Sequence, residues 1–541
     1  MTYWRPFTRC WRRRVNLRDL FRSWAIVRTC TALSRVLGLE REIGMAFLFG
    51  TSLAKSAFDV AFVVPNLFRR LFGEGALSAA FVPVFAETMK QEGQDRANEL
   101  AGRAGVLLAA VLTLLVMGGV LIVSVWFATG KGGGRLMAVL PLLRIMLPYM
   151  VFICLAALSM AILNTYKHFL VPASTPIVLN LVWIAALVFV CPRFGDTPAK
   201  RIYGVAWGIL LAGVLQLAIQ FPLLLRHGVR PVFSLRWRDP HIRGILLLMG
   251  PAALGMGVFQ VNFLVDRLLA YAVAEWAAAA LTYAERLIYL PLGLFATSLA
   301  TVLLPTFSHQ AADMDTGEIR STLETAMRSL MLIVVPAAVG LLVLARPIVS
   351  VFFVWKNGLF DEMSLVYTTR ALRFYAFGLV VFSAHKLLTP AFYAMKDMKT
   401  PVRVGLVAVA VNFALNVTFV LSWPVGHKHA GLAFATVISH GLSCVLLGRH
   451  LHGRIGSAGW ARMFGTTGKA LVGAALMGTV VVPVQSQVAR ALLSRIGAVK
   501  LAETASLLAA IAAGIVAYAV PVLFLCREEV RTIRQHQRSR S

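Results

Sequence analysis

Apolar stretches of about 20 residues recur along the whole 541-residue chain and are separated by short polar segments. A helix needs about 20 mainly apolar residues to cross a bilayer, whereas the strands of a membrane barrel alternate with a period of two. The chain shows the first pattern and not the second, which predicts an all-α polytopic membrane protein. The fourteen predicted spans lie near residues 24–50, 54–88 (interrupted), 102–128, 136–165, 171–191, 203–225, 241–273, 278–308, 322–345, 365–395, 402–422, 429–448, 467–485 and 504–526.

Composition supports a membrane protein and changes the meaning of the net charge. Hydrophobic residues make up 58% of the chain and charged residues 14%, whereas soluble proteins carry about 25% charged residues. A net charge of +29 would suggest nucleic-acid binding in a soluble protein. In a membrane protein, Lys and Arg accumulate in cytoplasmic loops and beside anionic headgroups. We therefore expect membrane lipids, and no nucleic acid, as partners.

The distribution of arginines predicts the topology. An even number of spans places both termini on one side of the membrane. The N-terminal segment, the loops after the sixth and twelfth spans and the C-terminal tail are rich in arginine and all fall on that side. The positive-inside rule makes it cytoplasmic. Residues 1–23 contain too few apolar residues for a signal peptide and are interpreted as a basic cytoplasmic arm.

Motifs for catalysis or metal binding are absent from the sequence. The six cysteines include no CxxC pair, so we expect neither a disulfide framework nor a metal site. HExxH, P-loop and GxSxG motifs are not found. The sequence therefore predicts a transporter rather than an enzyme, without a cofactor. Its energy would come from an ion gradient, the membrane potential or the gradient of its own substrate.

The two halves of the chain resemble each other. The segment around Pro83 matches the segment around Pro305, which lies 222 residues later (305 − 83). The segment from Lys167 to Pro172 matches the segment from Lys396 to Pro401, which lies 229 residues later (401 − 172). These offsets indicate duplication of a six-span unit, an organisation that places a transport site between the halves. The predicted domains are the arm at 1–23, an N-lobe at 24–226, a C-lobe at 227–448, two further spans at 449–526 and a basic tail at 527–541.

Charged residues lie inside the first predicted span. A charge in hydrocarbon costs about 2.5–3.5 kcal/mol on insertion scales, so such residues mark ion pairs or water-filled cavities. Arg35 and Arg41 lie about 120° apart around the helix, and guanidinium groups suit phosphate oxygens. Glu40 and Glu42 stand beside them. Two interpretations remain open: an anion-binding cavity, or a structural cluster of ion pairs.

The second predicted span contains a polar break. Asn66 and Arg69 are three residues apart and share a helix face, and we interpret Arg69 as a substrate contact. Glu74 stands between two glycines, where the helix is expected to break. Broken helices in membranes line cavities or are covered by protein. The alternative is a pair between Arg70 and Glu74 at the membrane edge.

Polar residues in the second half form a further candidate group. Glu285 precedes Arg286 and is a candidate to neutralise it. Asn262 and Asp266 share a helix face, where they either line the cavity or make helix-to-helix hydrogen bonds, the preferred interpretation. Lys386 lies in the middle of a span, where it either balances an acidic group or faces the cavity.

These segments resemble the signatures of the MurJ (MviN) lipid II flippases, a family of the MOP exporter superfamily. The most specific is the block from Pro65 to Pro83, an almost complete match to the family's most distinctive segment. The resemblance extends from about residue 30 to about residue 450, and the last two spans match in hydrophobic character only. The other matching segments are Ser34–Gly38 with Arg41, Tyr283–Leu287, Leu303–Pro305, Ala371–Tyr375, Pro390–Ala394 and Thr400–Pro401.

The resemblance implies a fold, a substrate and site residues. The fold has two six-helix lobes around a central cationic cavity, and two C-terminal helices that hold an undecaprenyl tail. The substrate is lipid II, carried from the cytoplasmic to the outer leaflet of the inner membrane. Further partner candidates are cell-wall synthesis or division proteins, and we expect a monomer. The implied substrate-binding residues are Arg35, Arg41, Arg69 and Arg286. Candidate cavity or gating residues are Asp59, Asn66, Glu74, Asn262, Asp266, Glu285 and Lys386.

Two positions depart from the family pattern. Many members have Asp three residues before Asp59, where this chain has Ser56. Some have an acidic residue three positions after Arg286, where this chain has Tyr289. Asp59 lies about one turn from Ser56 and is a candidate substitute for the missing acid.

Three other functions remain as alternatives. Another MOP-type exporter, either a polysaccharide-repeat flippase or a drug antiporter, would share the fold class, but an antiporter for cationic drugs should present acidic residues in its cavity. A nontransporting scaffold for cell-wall synthesis would tolerate replacement of the arginines. A membrane glycosyltransferase is the least favoured, since the chain lacks paired catalytic carboxylates beside a sugar-nucleotide domain.

Overall fold

The computed structural model describes residues 17–73, 76–130, 133–233, 239–456, 459–496 and 498–525. Within these ranges every regular element is helical, with nineteen α-helices, three short π-helical segments and one 3-10 turn. The predicted all-α class is therefore confirmed. Glu74, most of the N-terminal arm and the basic C-terminal tail lie outside the described residues.

The α-helices are numbered in chain order. Those of the first half are α1 (Leu17–Phe49), α2 (Leu53–Phe68), α3 (Ala76–Gln91), α4 (Gln94–Ala128), α5 (Gly134–Met146), α6 (Tyr149–Thr165), α7 (Leu170–Ala185), α8 (Pro198–Ala218) and α9 (Phe221–Arg226). Those of the second half are α10 (Pro240–Val273), α11 (Ala277–Pro291), α12 (Ser298–Ala312), α13 (Thr316–Val343), α14 (Ala345–Phe353), α15 (Glu362–Ala394), α16 (Lys399–Ser422), α17 (Val425–Ile455), α18 (Trp460–Ile496) and α19 (Val499–Leu525). The π-helical segments are Arg69–Gly73, Ala186–Val190 and Leu292–Thr297, and the 3-10 turn is Cys191–Phe194.

Aspartates mark the starts of several helices. Asp315 accepts a hydrogen bond from the Glu318 amide (2.9 Å) at the start of α13, and Asp361 accepts one from the Ser364 amide (2.8 Å) at the start of α15. The first four amides of a helix have no partner within the helix, and a capping carboxylate supplies one. These caps fix where the chain turns from a loop into a helix.

The contacts divide the chain into two compact units. The first comprises the chain up to Gly44 together with Ala61–Met256, and the second comprises Met45–Val60 together with the chain from Gly257 onward. Helices α1, α2 and α10 therefore each contribute residues to both units. The lobe boundaries expected from the sequence stay a prediction.

The order of elements in the first unit recurs in the second. A helix, a π-helical segment and two further helices follow one another in each unit, with the π-helical segments beginning at Arg69 and at Leu292. Lys167 after α6 and Lys396 after α15 both have a positive φ, of 62° and 60°. A positive φ is uncommon outside glycine. Its occurrence at two positions that the sequence comparison had already matched supports the duplication.

Ten helices in the described residues are long and apolar enough to cross a membrane, and α5 with α6, bent by 43°, would make an eleventh span. Three predicted spans lie outside this count: the first, whose helix α1 carries several charged residues, the second, which is interrupted at Arg69, and the seventh, which corresponds to α10. The polytopic architecture is confirmed, and the number fourteen stays a prediction.

The two C-terminal helices pack closely against each other. A Cβ atom added at Gly514 of α19 would lie 2.8 Å from Val481 of α18, so the small residue permits the close approach. Leu507 and Met477 continue this contact in a buried apolar cluster. The predicted pair of extra spans therefore folds as a helical hairpin on the second unit.

An aromatic cluster lies at the end of α6 in the first unit. The ring of Tyr166 stacks on His227 with 4.4 Å between centroids, and its hydroxyl donates to Asn98 (2.5 Å). Burial, and then the nearby His168, lower the pKa of His227. The neutral ring is therefore favoured at pH 7, which suits stacking in this partly buried position.

The turn between α1 and α2 is held by backbone contacts within the second unit. Gly50 has a φ of 51°, and an added Cβ would clash with the carbonyl oxygen of Leu359. The Leu359 amide donates to Phe47 (2.8 Å), and the Tyr283 hydroxyl donates to the Gly50 carbonyl (3.0 Å). Glycine is therefore required here for both conformation and space.

Replacement of Gly50 by Ala is expected to lower the apparent melting temperature of the purified protein. A left-handed conformation costs a residue with a side chain about 1–2 kcal/mol, and the clash with Leu359 adds to it. Gly130→Ala is the matched control, because Gly130 has a similar φ of 62° but nothing within 4 Å of the added Cβ. Equal melting temperatures for the two variants would contradict the close approach at Gly50.

Candidate functional site

Arg41 is buried within the first unit and is not open to solvent. Its guanidinium donates to Glu42 (2.7 Å) and to the Asn180 side chain (3.0 Å) and lies 4.2 Å from the centre of the Trp183 ring. Only 7% of Arg41 and 3% of Glu42 is exposed. Of the two interpretations left open by the sequence, the structure favours the ion-pair cluster for Arg41 in this conformation.

Asn180 joins α7 to α1 on both sides of this arginine. Its amide nitrogen donates to the Ser34 carbonyl (2.9 Å), while its oxygen accepts from Arg41. Gly38 lies beside the Asn180 amide, and an added Cβ would meet it at 3.8 Å, an ordinary van der Waals contact. Sequence analysis missed Asn180 and Trp183, although an asparagine inside an apolar span was a usable signal.

Arg35 and Glu40 differ from Arg41 in being exposed on α1. The two arginines assigned together from the sequence therefore have different environments. One is fixed by a carboxylate, an amide and an aromatic ring, and the other is accessible to a ligand.

Arg69 opens the first π-helical segment. Its Nε donates to Asn66 Oδ1 (2.9 Å), so the predicted pair three residues apart is present. The segment packs on α6, where Cys154 Sγ lies 3.9 Å from the carbonyl oxygen of Phe68. Single-turn π-bulges occur frequently at functional sites. The predicted pairing of Arg70 with Glu74 involves a residue outside the described part of the chain.

Glu285 in the second unit pairs with a residue that sequence analysis did not consider. The side chain of Arg267 forms an ion pair with it, and the Tyr375 hydroxyl donates to its other oxygen (3.0 Å). Arg267 is almost completely buried, whereas Arg286 is exposed. Glu285 is therefore held by α10 and α15, and its suggested neutralisation of Arg286 stays a prediction. The adjacent charges Asp266 and Arg267 were the signal that could have located this pair.

Asp266 lies in a network of side-chain amides. It accepts from Asn416 Nδ2 (2.6 Å). The Asn412 side-chain amide faces the same carboxylate at 2.9 Å and donates to it when its nitrogen is assigned to that side, 3.1 Å from Asn262 Oδ1. These contacts connect α10 with α16. The preferred interpretation of Asn262 and Asp266, hydrogen bonding between helices, agrees with this geometry.

Asp59 forms an ion pair on its own helix. Lys55 Nζ lies 2.5 Å from Asp59 Oδ1 and 4.9 Å from the centre of the Tyr283 ring, and Lys55 is 1% exposed. Ser56 is also buried, and its hydroxyl accepts from the Ala279 amide (3.2 Å). Asp59 is thus paired with a buried lysine. This role differs from the one considered in the sequence analysis, where Asp59 was a candidate substitute for the acidic residue that many family members have at position 56.

Lys386 is exposed on α15. In the described ranges it has no ion pair with a carboxylate, so the structure gives no support to the predicted balancing of an acidic group. Among the same residues, no group of three or more His, Cys, Asp or Glu side chains is arranged to hold a metal ion.

An apolar groove of about 550 Å³ lies between α13 and the hairpin of α18 and α19. Met477, Val481 and Ile511 contribute to its walls. The Tyr518 hydroxyl donates to the Leu332 carbonyl (2.7 Å), so the one polar group on this face of α19 is satisfied. The groove suits a flexible hydrocarbon chain.

Similarity to known proteins decides the family. A family model for the lipid II flippase MurJ matches residues 45–498. The chain belongs to the MurJ lipid II flippase family. The lipid II flippase MurJ of Burkholderia cenocepacia is 37% identical over 471 residues, which cover 85% of this chain and 89% of that protein. A probable lipid II flippase MurJ of Vibrio cholerae is 36% identical over 447 residues, covering 80% and 83% of the two chains.

Solved structures show the same fold. A lipid II flippase MurJ in an inward closed conformation has a TM-score of 0.74 at 24% identity and covers 94% of this chain and 100% of that one. An inward-facing multidrug resistance MATE family transporter of the MOP superfamily has a TM-score of 0.62 at 15% identity, with coverages of 79% and 95%. The MOP exporter fold expected of a MurJ family member is therefore confirmed.

Replacement of Arg267 by Gln is expected to destabilise this MurJ family member strongly. Loss of one partner of a buried ion pair costs about 3–5 kcal/mol, because the remaining carboxylate of Glu285 stays buried without its cation. Tyr375→Phe removes one hydrogen bond from the same carboxylate and is expected to cost about 1 kcal/mol. The apparent melting temperature of each purified variant measures the difference.

The Arg267→Gln, Glu285→Gln double variant is the control for this charge effect. It removes both charges and is expected to recover much of the stability that Arg267→Gln loses. An Arg267→Gln variant as stable as the wild type would show that the pair does not hold α10 against α11.

Proposed function

We propose that this chain moves lipid II from the inner to the outer leaflet of the bacterial cytoplasmic membrane. The observation that carries the proposal is the family match over residues 45–498, joined by relatives whose names state this activity. The chain would act as a transporter, with alternating access to the two sides of the membrane. It would work as a monomer with both termini in the cytoplasm.

The chemistry of the substrate gives the arginines their role. A lipid-linked pyrophosphate carries negative charge that cannot cross hydrocarbon unaided, and guanidinium groups bind phosphate oxygens in a bidentate manner. Arg35 and Arg286 are exposed, and we assign them to direct binding of the pyrophosphate. We assign Arg69, which lies in the first π-helical segment, to the same binding role.

Arg41 has a different role in this proposal. Its guanidinium is already occupied by Glu42 and Asn180, so its charge is available to substrate only after those contacts are exchanged. We assign it as a group that binds substrate in another conformation of the transport cycle. In the conformation described, it stabilises the packing of α1 against α7.

The apolar groove beside the α18 and α19 hairpin is assigned to the polyprenyl tail. About 550 Å³ of space is enclosed by aliphatic and Met side chains, which suit a flexible chain without polar groups. The pyrophosphate and the tail would thus be held by separate parts of the protein.

Asp266 is assigned to coupling with an ion gradient. Its carboxylate accepts a hydrogen bond from the neutral amide of Asn416, and the neutral amide of Asn412 lies beside it. A carboxylate in such an apolar setting is more stable with a bound proton or cation. Ion binding at this position would link the packing of α10 and α16 to the gradient.

Arg286→Gln and Arg35→Gln are each expected to reduce lipid II exposure on the outer leaflet at least tenfold while leaving membrane levels unchanged. One charge-assisted hydrogen-bond pair is worth about 1.5–3 kcal/mol, about a tenfold to hundredfold effect. The measurement is complementation of bacteria depleted of their own lipid II flippase, scored with a nonpermeant probe for lipid II. Arg41→Ala is a weaker test, because it also removes the partner of buried Glu42.

Arg226→Gln and Arg403→Gln are the matched controls for the two units, since both arginines are exposed and lie outside the candidate residues. Both variants are expected to complement as the wild type does. Full activity of an Arg35→Gln, Arg286→Gln double variant would exclude the arginine mechanism. Failure of a well-inserted wild type would shift the substrate to another lipid-linked glycan.

Asp266→Asn is expected to preserve the fold, because the amide has nearly the same shape, and to abolish the response of flipping to an ion gradient. Flipping would be measured in vesicles with an imposed proton or sodium gradient and again after its dissipation. Glu503→Gln is the control carboxylate, located on α19 beside Ser350. A gradient response unchanged in Asp266→Asn would remove this residue from coupling.

A further inference from the structure

A second apolar groove in the second unit lies near the start of α18 and shares no lining residue with the groove assigned to the polyprenyl tail. It has a volume of about 570 Å³ and is formed by α13, α15, α17 and α18. Met327 and Met463 form part of its buried wall, whereas Val445 is 67% and Phe464 72% exposed. Exposed apolar side chains at the edge of a groove in a membrane protein face the hydrocarbon of lipids.

One end of this groove is basic. Arg449 and His452 of α17 line it there, next to the ring of Trp460. Tryptophan is enriched at the level of lipid headgroups, where its amphipathic ring is favourable. The groove therefore runs from a polar, cationic mouth into an apolar interior, the same order of environments that a phospholipid presents from its headgroup to its acyl chains.

The arginines around this mouth differ in their partners. Arg462 and Arg328 both interact with Glu324, and Arg454 pairs with Asp397 (2.6 Å). Arg449 is exposed and, within the described ranges, makes no ion pair with a carboxylate. Its position in the lining of the groove leaves its charge available to an anion at the mouth.

We propose that this groove binds an anionic phospholipid, with its phosphate at Arg449 and one acyl chain between α13, α15, α17 and α18. Basic pockets between membrane helices are suited to anionic headgroups on the cytoplasmic side. The methionines of the wall have flexible, polarisable side chains that adapt to a mobile acyl chain. The occupied site would hold α18 against the body of the second unit independently of lipid II.

Gly441 offers a direct way to fill the groove. It lines the groove in the middle of α17, and an added Cβ would meet only Val381 at 4.0 Å, an ordinary contact. A leucine can therefore enter the groove without disturbing the backbone. Gly441→Leu removes the acyl-chain site, and Arg449→Gln removes the charge at its mouth.

The test uses the full chain in phosphatidylcholine vesicles with a trace of phosphatidylglycerol or phosphatidylcholine that carries a photoreactive acyl chain. Adducts on peptides from α17 and α18 are quantified by mass spectrometry. Phosphatidylglycerol is expected to label the groove about fivefold more than phosphatidylcholine, the effect of about one basic side chain near a headgroup. Gly441→Leu is expected to lose both adducts, and Arg449→Gln to lose only the preference.

Arg403→Gln is the control, since it removes an exposed arginine of α16 that does not line the groove, and it is expected to keep the fivefold preference. Equal labelling by the two lipids in the wild type would overturn the proposal. So would unchanged labelling of Gly441→Leu, or displacement of the adducts by polyprenyl phosphate but not by unlabelled phosphatidylglycerol. Flipping activity is not the readout, so this result is independent of the proposed transport function.

Discussion

The free-energy cost of placing a charge in hydrocarbon determines how the charged side chains of this protein are arranged. Each buried cation on the membrane helices has a specific set of partners, as Lys55 has Asp59, Arg267 has Glu285, and Arg41 has Glu42 with Asn180. Removal of any partner would leave a charge that the surroundings do not stabilise. Arg35 and Arg286, in contrast, are exposed. Under the proposed function, the buried cations hold the helices together and the exposed ones bind the substrate.

The internal duplication shows how one ancestral element acquires two uses. Both units contain a π-helical segment at matching positions, Arg69–Gly73 in the first and Leu292–Thr297 in the second. An inserted π turn widens the helix and displaces the side chains around it. The first segment carries two arginines, whereas the second consists of apolar and small residues. Both units therefore keep the π-helical backbone, although the side chains of the two segments differ.

The two grooves beside α18 differ in whether a charged side chain lines them. The groove shared with α19 is lined by aliphatic and aromatic side chains without a formal charge, which suits the long apolar tail of a polyprenyl lipid. The groove shared with α17 ends at Arg449 and His452, which suits a lipid whose charge lies next to its chains. A single helix thus contributes to both grooves, to the second through residues near its start and to the first through Met477 and Val481.

The sequence by itself determined the helical class, the duplication, the positions of charges within spans and the membership in the MurJ family. These follow from hydrophobic periodicity and from contiguous motifs, which are local properties of the chain. The pair of Lys55 with Asp59 could also have been predicted from the sequence, because residues four positions apart lie on the same helix face. Only the tertiary structure decided that Arg41 contacts Asn180, 139 residues away, that Glu285 pairs with Arg267, and that Arg449 lines an open groove. Such contacts depend on which helix faces pack together, and packing is settled by the summed fit of many apolar side chains, which no local pattern encodes.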